Sequence, residues 1–112
     1  MKTTEAVIRN HLRAATIGVD ALLEDYTDES VLITHDATYR GPAEIRGFFT
    51  ALLGVLPAGF FETSMKVTRQ VFVGDLGYIL WEGKPIVSQA TDTFVVRNGK
   101  ILFQTFTNAT VS

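Results

Sequence analysis

The chain has 112 residues, a size typical of one domain, and 46% of them are hydrophobic, which allows an apolar core without disulfide bonds. It has no cysteine and only two histidines, which excludes thiol chemistry and disfavours a zinc site. The formal net charge of -2 offers no basic footprint for nucleic acid. We therefore predict a single domain over residues 1–112, with neither a metal nor a nucleic-acid partner.

The first nine residues lack the apolar segment of a signal peptide. The most apolar stretch, residues 48–61, is interrupted by Gly54, Pro57 and Gly59 and is shorter than the roughly 20 residues that span a bilayer. We therefore expect a cytoplasmic protein that does not use a membrane as a partner.

Residues 4–17 are predicted to form the first helix, capped by Thr3 or Thr4 and ended by Gly18. Its apolar residues recur at helical spacing at Val7, Ile8, Leu12 and Ala15. His11 lies four residues from two of these positions, which places it on or beside the buried face. A short second helix is expected from Asp20 through Tyr26, ending at residues 27–29.

The remaining elements are one strand, one helix and a run of strands. Residues 30–34 are β-rich, and Pro42 marks the start of a third helix that Gly54 and Pro57 end. Further strands are predicted at residues 60–73, 78–81, 86–96 and 100–108. This order predicts an α+β fold in which three N-terminal helices pack on a strongly curved, mostly antiparallel sheet with a concave mouth.

The last two strands are joined at Asn98-Gly99, a strong hairpin signal. Asp92 alternates with Phe94 and Val96, so a carboxylate lies on an apolar face of the sheet. A two-residue turn would pair Asp92 with Thr105, whereas a three-residue loop would pair it with Gln104. We favour the second register because it gathers the polar side chains on one face, which then carries Asp92, Gln104, Phe106 and Asn108. The opposite face carries Val95, Ile101 and Phe103.

Both faces of this hairpin carry large apolar residues, whereas a sheet with one face in water alternates more cleanly. A second copy of the chain would cover the outer face most simply. The pattern therefore predicts a homodimer through the sheet.

Residues 20–31, residues 41–49, and residues 92–94 followed by 98–101 resemble the SnoaL-like branch of the nuclear transport factor 2-like superfamily. The resemblance implies a cone-shaped α+β barrel that encloses a pocket, usually in a homodimer. In the ketosteroid isomerases of this superfamily, a carboxylic acid on the penultimate strand donates a hydrogen bond to a steroid oxygen. Asp92 matches that position. His11 falls near their oxyanion tyrosine. Thr34 stands where their general base, an aspartate, is expected, and threonine cannot serve as that base.

These features support a cofactor-free acid/base enzyme of isomerase, cyclase or dehydratase type that acts on a small apolar carbonyl compound. The candidate catalytic residues are Asp92, assisted by His11 or His35, and we expect no cofactor. The candidate substrate-binding residues are Tyr39, Trp81, Gln104, Phe106 and Asn108.

The alternative is a ligand-binding or dimerisation module without chemistry. In that case backbone donors would hold Asp92, and no second ionisable group would lie within reach. A cavity lined by both Asp92 and a histidine would favour the enzyme instead.

Overall fold

The computed structural model describes residues 2–110, and within them the chain forms four helices and six strands. The helices are α1 (Thr4–Ala14), α2 (Val19–Leu23), α3 (Gly41–Val55) and α4 (Phe60–Thr63). The strands are β1 (Tyr26–Thr34), β2 (Thr38–Arg40), β3 (Lys66–Val73), β4 (Leu76–Gly83), β5 (Val87–Arg97) and β6 (Lys100–Thr110).

All six strands form one sheet in the order β2-β1-β6-β5-β4-β3. Neighbouring strands are antiparallel except β1 and β6, which are parallel. The sheet does not close, since β2 and β3 are its two edges. Helix α1 contacts β4 and β5, and α3 contacts β1 and β2, so the core lies between the helices and one face of the sheet. The predicted α+β architecture is confirmed.

Helix α1 forms for the reasons that its sequence indicates. The Thr3 side chain accepts a hydrogen bond from the Ala6 N–H, 3.1 Å away, and thereby caps the helix. Val7, Ile8 and His11 are buried along one face. The regular helix ends at Ala14, three residues before the predicted end, and the chain continues to residue 18 in hydrogen-bonded turns.

The predicted second helix is wrong at its end, because α2 stops at Leu23 and residues 26–29 belong to β1. Two long-range hydrogen bonds attach this segment to β6. The Ile101 N–H donates to the Asp25 carbonyl at 2.7 Å, and the Ser30 hydroxyl donates to the Ile101 carbonyl at 2.6 Å. Pairing with a distant strand therefore outweighs the local helical pattern.

The strand predicted over residues 60–73 is also wrong in its first part, because residues 60–63 form helix α4 and β3 begins at Lys66. Gly59 precedes the helix with φ 77°, a left-handed conformation that favours glycine. Phe60 then turns into the core and packs edge-on against Trp81, with ring centroids 6.3 Å apart.

Neither hairpin register considered in the sequence is correct. Asn98 and Gly99 form a tight turn with positive φ, and Arg97 pairs with Lys100, but a bulge then shifts the register by one residue. Asp92 consequently pairs with Phe106. Asp92 and Gln104 still lie on the same face of the sheet, as predicted. Gln104 lies opposite Phe94, and the side chain of Phe94 is buried on the same face as that of Asp92. The predicted position of Ile101, on the face opposite Asp92, is wrong, because its side chain is completely buried in the core.

Candidate functional site

An inner cavity lies between the helices and the sheet, and most of its wall is apolar. Its volume is about 40 Å³, which is room for about one to three waters. Two ionisable side chains and one amide interrupt the apolar wall, and they are Asp92, His11 and Gln104. The other lining residues are Leu12, Ala15, Leu22, Phe48, Phe49, Leu52, Leu53, Phe61, Met65, Ile79, Trp81 and Phe106.

Asp92 projects from β5 into this cavity and is only 6% exposed. The Trp81 indole N–H donates to its Oδ2 at 2.8 Å, and the Gln104 amide donates to its Oδ1 at 3.0 Å. Burial raises the pKa of Asp92 to about 6, although these two hydrogen bonds act in the opposite direction. At neutral pH the group is therefore mostly an ionised carboxylate, held by neutral donors.

Tyr26 contacts Gln104 on the side away from Asp92, and the sequence alone does not indicate it as a site residue. Its hydroxyl donates to Gln104 Oε1, which directs the amide nitrogen of Gln104 toward Asp92. Burial, followed by the charges of Asp92 and Asp25, raises the pKa of Tyr26 well above its usual value, so the phenol is a neutral donor. The missed signal was a longer first strand, because a strand that begins at residue 26 places Tyr26 opposite β6.

His11 projects from α1 and is also buried, at 7% exposure. Its ring lies against three aromatic rings, with centroid distances of 5.3 Å to Phe94, 5.9 Å to Phe49 and 6.1 Å to Tyr26. Burial lowers the pKa of His11 to about 4, so the imidazole is neutral at pH 7. Its Nδ1 is buried and has no hydrogen-bond partner among residues 2–110. In the described part of the chain, no hydrogen bond or ion pair joins His11 to Asp92.

An outer groove of about 350 Å³ lies beside the inner cavity. The two spaces share three lining residues, Phe48, Leu52 and Phe106, which form the wall between them. The Phe48 and Phe106 rings meet edge-on in this wall with centroids 5.9 Å apart. A larger ligand would have to displace these side chains to occupy both spaces.

The candidate residues from the sequence divide between the two spaces. Five line the inner cavity, namely Asp92, His11, Trp81, Gln104 and Phe106. His35, Tyr39 and Asn108 line the outer groove, and His35 is exposed there in the turn after β1. The Thr34 hydroxyl donates to Asp36 Oδ1 at 2.8 Å within that turn.

The described residues contain no group of three or more His, Asp or Glu side chains placed to hold a metal ion. None of the helices within residues 2–110 has both the length and the apolar character needed to cross a lipid bilayer. The inner cavity offers one desolvated carboxylate and one neutral imidazole, and both kinds of group serve in general acid/base catalysis.

The sequence model of the SnoaL-like domain matches residues 8–103 of the chain. A nuclear transport factor 2-like protein of unknown function from Burkholderia xenovorans superposes with a TM-score of 0.72 at 18% identity, covering 95% of this chain and 82% of that one. No curated protein is significantly similar in sequence.

Two further solved structures contain small molecules. A protein with a ketosteroid isomerase-like fold from Catenulispora acidiphila, in complex with trimethylamine, gives a TM-score of 0.70 at 16% identity over 89% of this chain and 82% of that one. TerC, co-crystallised with polyporic acid, gives a TM-score of 0.73 at 13% identity, and the match covers 95% of this chain and 91% of TerC. The TM-scores of these three structures show a shared fold and confirm the expected nuclear transport factor 2-like architecture.

Proposed function

Since the chain belongs to the SnoaL-like domain family, we propose that it is a cofactor-free acid/base enzyme acting on a small, largely apolar carbonyl compound. The reaction would be of isomerase, cyclase or dehydratase type. The observation that carries the proposal is Asp92, an ionisable carboxyl group buried in an apolar cavity with a pKa of about 6. A base with a pKa close to the working pH transfers protons efficiently in both directions.

In the proposed step, the Asp92 carboxylate takes a proton from the carbon next to the substrate carbonyl. The C–H electron pair moves into the new carbon–carbon double bond, and the carbonyl electrons move onto oxygen to form an enolate. Neutral Asp92 then returns the proton, either to the same carbon or to another carbon of the conjugated system. No electrons leave the substrate, so the step needs no redox partner.

His11 is the better candidate than His35 for the assisting group. It lines the same cavity as Asp92, whereas His35 lines the outer groove. The imidazole of His11 is neutral, and its Nδ1 has no partner within the described chain, so it keeps hydrogen-bonding capacity for a ligand. A neutral imidazole N–H is a suitable donor to a developing enolate oxygen.

The alternative proposal is a ligand-binding module without chemistry. The small cavity and the hydrogen bonds to both Asp92 oxygens favour it. Against it, the donors to Asp92 are the side chains of Trp81 and Gln104 rather than backbone groups, and His11 supplies a second ionisable group in the same cavity.

Isomerisation of cyclohex-3-en-1-one to its conjugated isomer tests the enzyme proposal, because the reaction needs only a base and an oxyanion donor. Ultraviolet absorbance follows the product, and NMR in D₂O follows exchange at the reacting carbons. The Asp92→Asn variant should lose about 100-fold or more in rate. The matched control is Asp28→Asn, an exposed carboxylate outside both spaces, which should keep the wild-type rate.

Binding of the ketone is measured separately through the fluorescence of Trp81, the single tryptophan, which lines the cavity. Wild-type protein that binds the ketone without exchanging its protons would support the module. An Asp92→Asn variant with the wild-type exchange rate would refute the role assigned to Asp92.

The proposal also includes a homodimer formed through the outer face of the sheet. The register aligns five outward apolar side chains in one row across five strands, from β3 to β1: Val73, Leu76, Val95, Phe103 and Val31. Three of them are well exposed, with 65% for Val73, 44% for Phe103 and 41% for Leu76. A second copy would bury this row, which is otherwise exposed apolar surface.

A further inference from the structure

The carboxylate of Asp92 is a buried charge that no cation within residues 2–110 balances. The lysine and arginine ion pairs within residues 2–110 join partly or well exposed groups, and none of them includes Asp92. Two other ionisable side chains belong to its surroundings: His11 of α1 lines the same cavity, and Tyr26 of β1 contacts Gln104. Both are neutral at pH 7. The lining residues from α2, α3 and β4 are all apolar or aromatic.

An ion buried without a counter-charge is costly, and proteins keep such groups where a ligand or a reaction uses them. The donors that Asp92 already has, Trp81 and Gln104, are neutral and leave its negative charge in place. A positively charged ligand would neutralise this charge, which a neutral ligand cannot do.

The cavity walls favour the same class of ligand. Five aromatic rings line the space around the carboxylate: Phe48, Phe49, Phe61, Trp81 and Phe106. Trp81 and Phe106 are stacked with centroids 6.3 Å apart and an interplanar angle of 17°. The faces of aromatic rings attract cations, and tryptophan does so most strongly. Clusters of aromatic rings can recognise methylated ammonium groups, which are both charged and apolar at their surface.

We propose that the inner cavity binds a small organic ammonium ion, with its charge beside Asp92 and its alkyl groups against the aromatic rings. The closed cavity has room for about one to three waters, so a head group of about five heavy atoms would have to push the side chains of Phe48, Leu52 and Phe106 outward. Any longer substituent would pass between Phe48, Leu52 and Phe106 into the outer groove. This inference rests on the proposal above that the cavity is a ligand site, and it adds a ligand class that competes with the carbonyl compound.

Tetramethylammonium and tert-butanol are a suitable pair of probes, because they have nearly the same shape and differ in charge. Binding is measured at pH 8 by Trp81 fluorescence, with sodium chloride holding the ionic strength constant. Tetramethylammonium should bind the wild-type protein at least tenfold more tightly than tert-butanol. In Asp92→Asn, the Kd of tetramethylammonium should rise at least tenfold while that of tert-butanol stays within about twofold. The control Asp28→Asn should behave as the wild type.

A second measurement needs no variant. Tetramethylammonium has no dissociable proton, so any pH dependence of its binding belongs to the protein. Its affinity should fall as the pH is lowered through about 6, where Asp92 becomes protonated. Equal affinities for the two probes, or tetramethylammonium binding that is unchanged between pH 8 and pH 5, would overturn the inference.

These outcomes are separable from those of the enzyme proposal. Ketone exchange that requires Asp92, without tetramethylammonium binding, would remove only the cation inference. Tetramethylammonium binding that requires Asp92, without exchange of any ketone proton, would remove only the enzyme proposal.

Discussion

Asp92 and His11 line one cavity, and burial moves their pKa values in opposite directions. The pKa of Asp92 rises from 3.8 to about 6, whereas that of His11 falls from 6.5 to about 4. The native chain therefore holds the Asp92 proton more tightly than the unfolded chain does, and the His11 proton less tightly. As pH rises from 4 to 6, Asp92 lowers the free energy of unfolding and His11 raises it. In the wild-type protein the two contributions largely cancel.

Removing either group should expose the effect of the other. As the pH rises from 4 to 7, the free energy of unfolding of Asp92→Asn should increase by about 3 kcal/mol relative to that of the wild type. The reason is that the wild type is destabilised by the ionisation of Asp92, which the variant lacks. Over the same pH range, the free energy of unfolding of His11→Leu should fall by about 3 kcal/mol relative to that of the wild type, because the variant lacks the contribution of His11 that rises with pH. Urea denaturation at several pH values measures both differences. Two differences of the same sign would contradict the assigned pKa shifts.

For individual residues, the sequence correctly placed the Asp92 carboxyl group on an apolar face of the sheet but missed the side chain that supports it. Asp92 was recognisable because a carboxylate alternated with Phe94 and Val96, and that placement depends only on the two-residue period of a strand. Tyr26 was not recognisable, because its role depends on β1 starting early and on pairing with β6. Contacts between residues far apart in sequence are not encoded in local pattern.

Among the elements, the short helix α4 depends on one close contact. Gly83 of β4 faces the ring of Phe60, the one buried residue of α4, so closely that a Cβ at position 83 would lie 2.3 Å from Cζ. Phe60 is followed by Phe61 and Met65, which line the inner cavity. The absence of a side chain at Gly83 therefore allows α4 to close one side of the site.

Gly83→Ala should destabilise the protein by about 1–3 kcal/mol, because a rigid, buried ring must move to admit the methyl group. Thermal or urea unfolding measures this effect. The matched control is Gly47→Ala in the exposed part of α3, where a Cβ would meet no atom within 4 Å. Helix propensity should make that variant more stable by about 0.5–1 kcal/mol. Equal effects of the two substitutions would show that the Phe60 contact is unimportant.

The sequence predicted the elements with clear punctuation and misassigned those that tertiary contacts decide. Thr3, Pro42 and Asn98-Gly99 all lie where their local chemistry indicated. Residues 60–63 form a helix although their composition suggested a strand, since Gly59 turns the chain and Phe60 finds its site in the core. The hairpin turn was correctly located, but the bulge after it had no signal in the sequence.

For the whole molecule, the sheet separates two functions that the proposals assign to its two faces. The inner face carries Asp92 and the cavity. The outer face carries the apolar row that includes Leu76 and Phe103, because residues paired across neighbouring strands project from the same face of the sheet. Because side chains alternate between faces, a substitution in the outer row does not touch the cavity lining. Assembly and ligand binding should therefore respond to different variants.

Phe103→Asp should convert the proposed dimer to a monomer, because the interface would then bury an unpaired carboxylate from each copy. Light scattering coupled to size-exclusion chromatography at micromolar concentration measures the molecular mass. The control is Ile17→Asp, which places the same charge at a residue that is 71% exposed and lies outside the sheet, and it should leave the mass unchanged. A monomeric wild-type protein would refute the dimer. A Phe103→Asp monomer that still binds ketone through Asp92 would show that each copy holds a complete site.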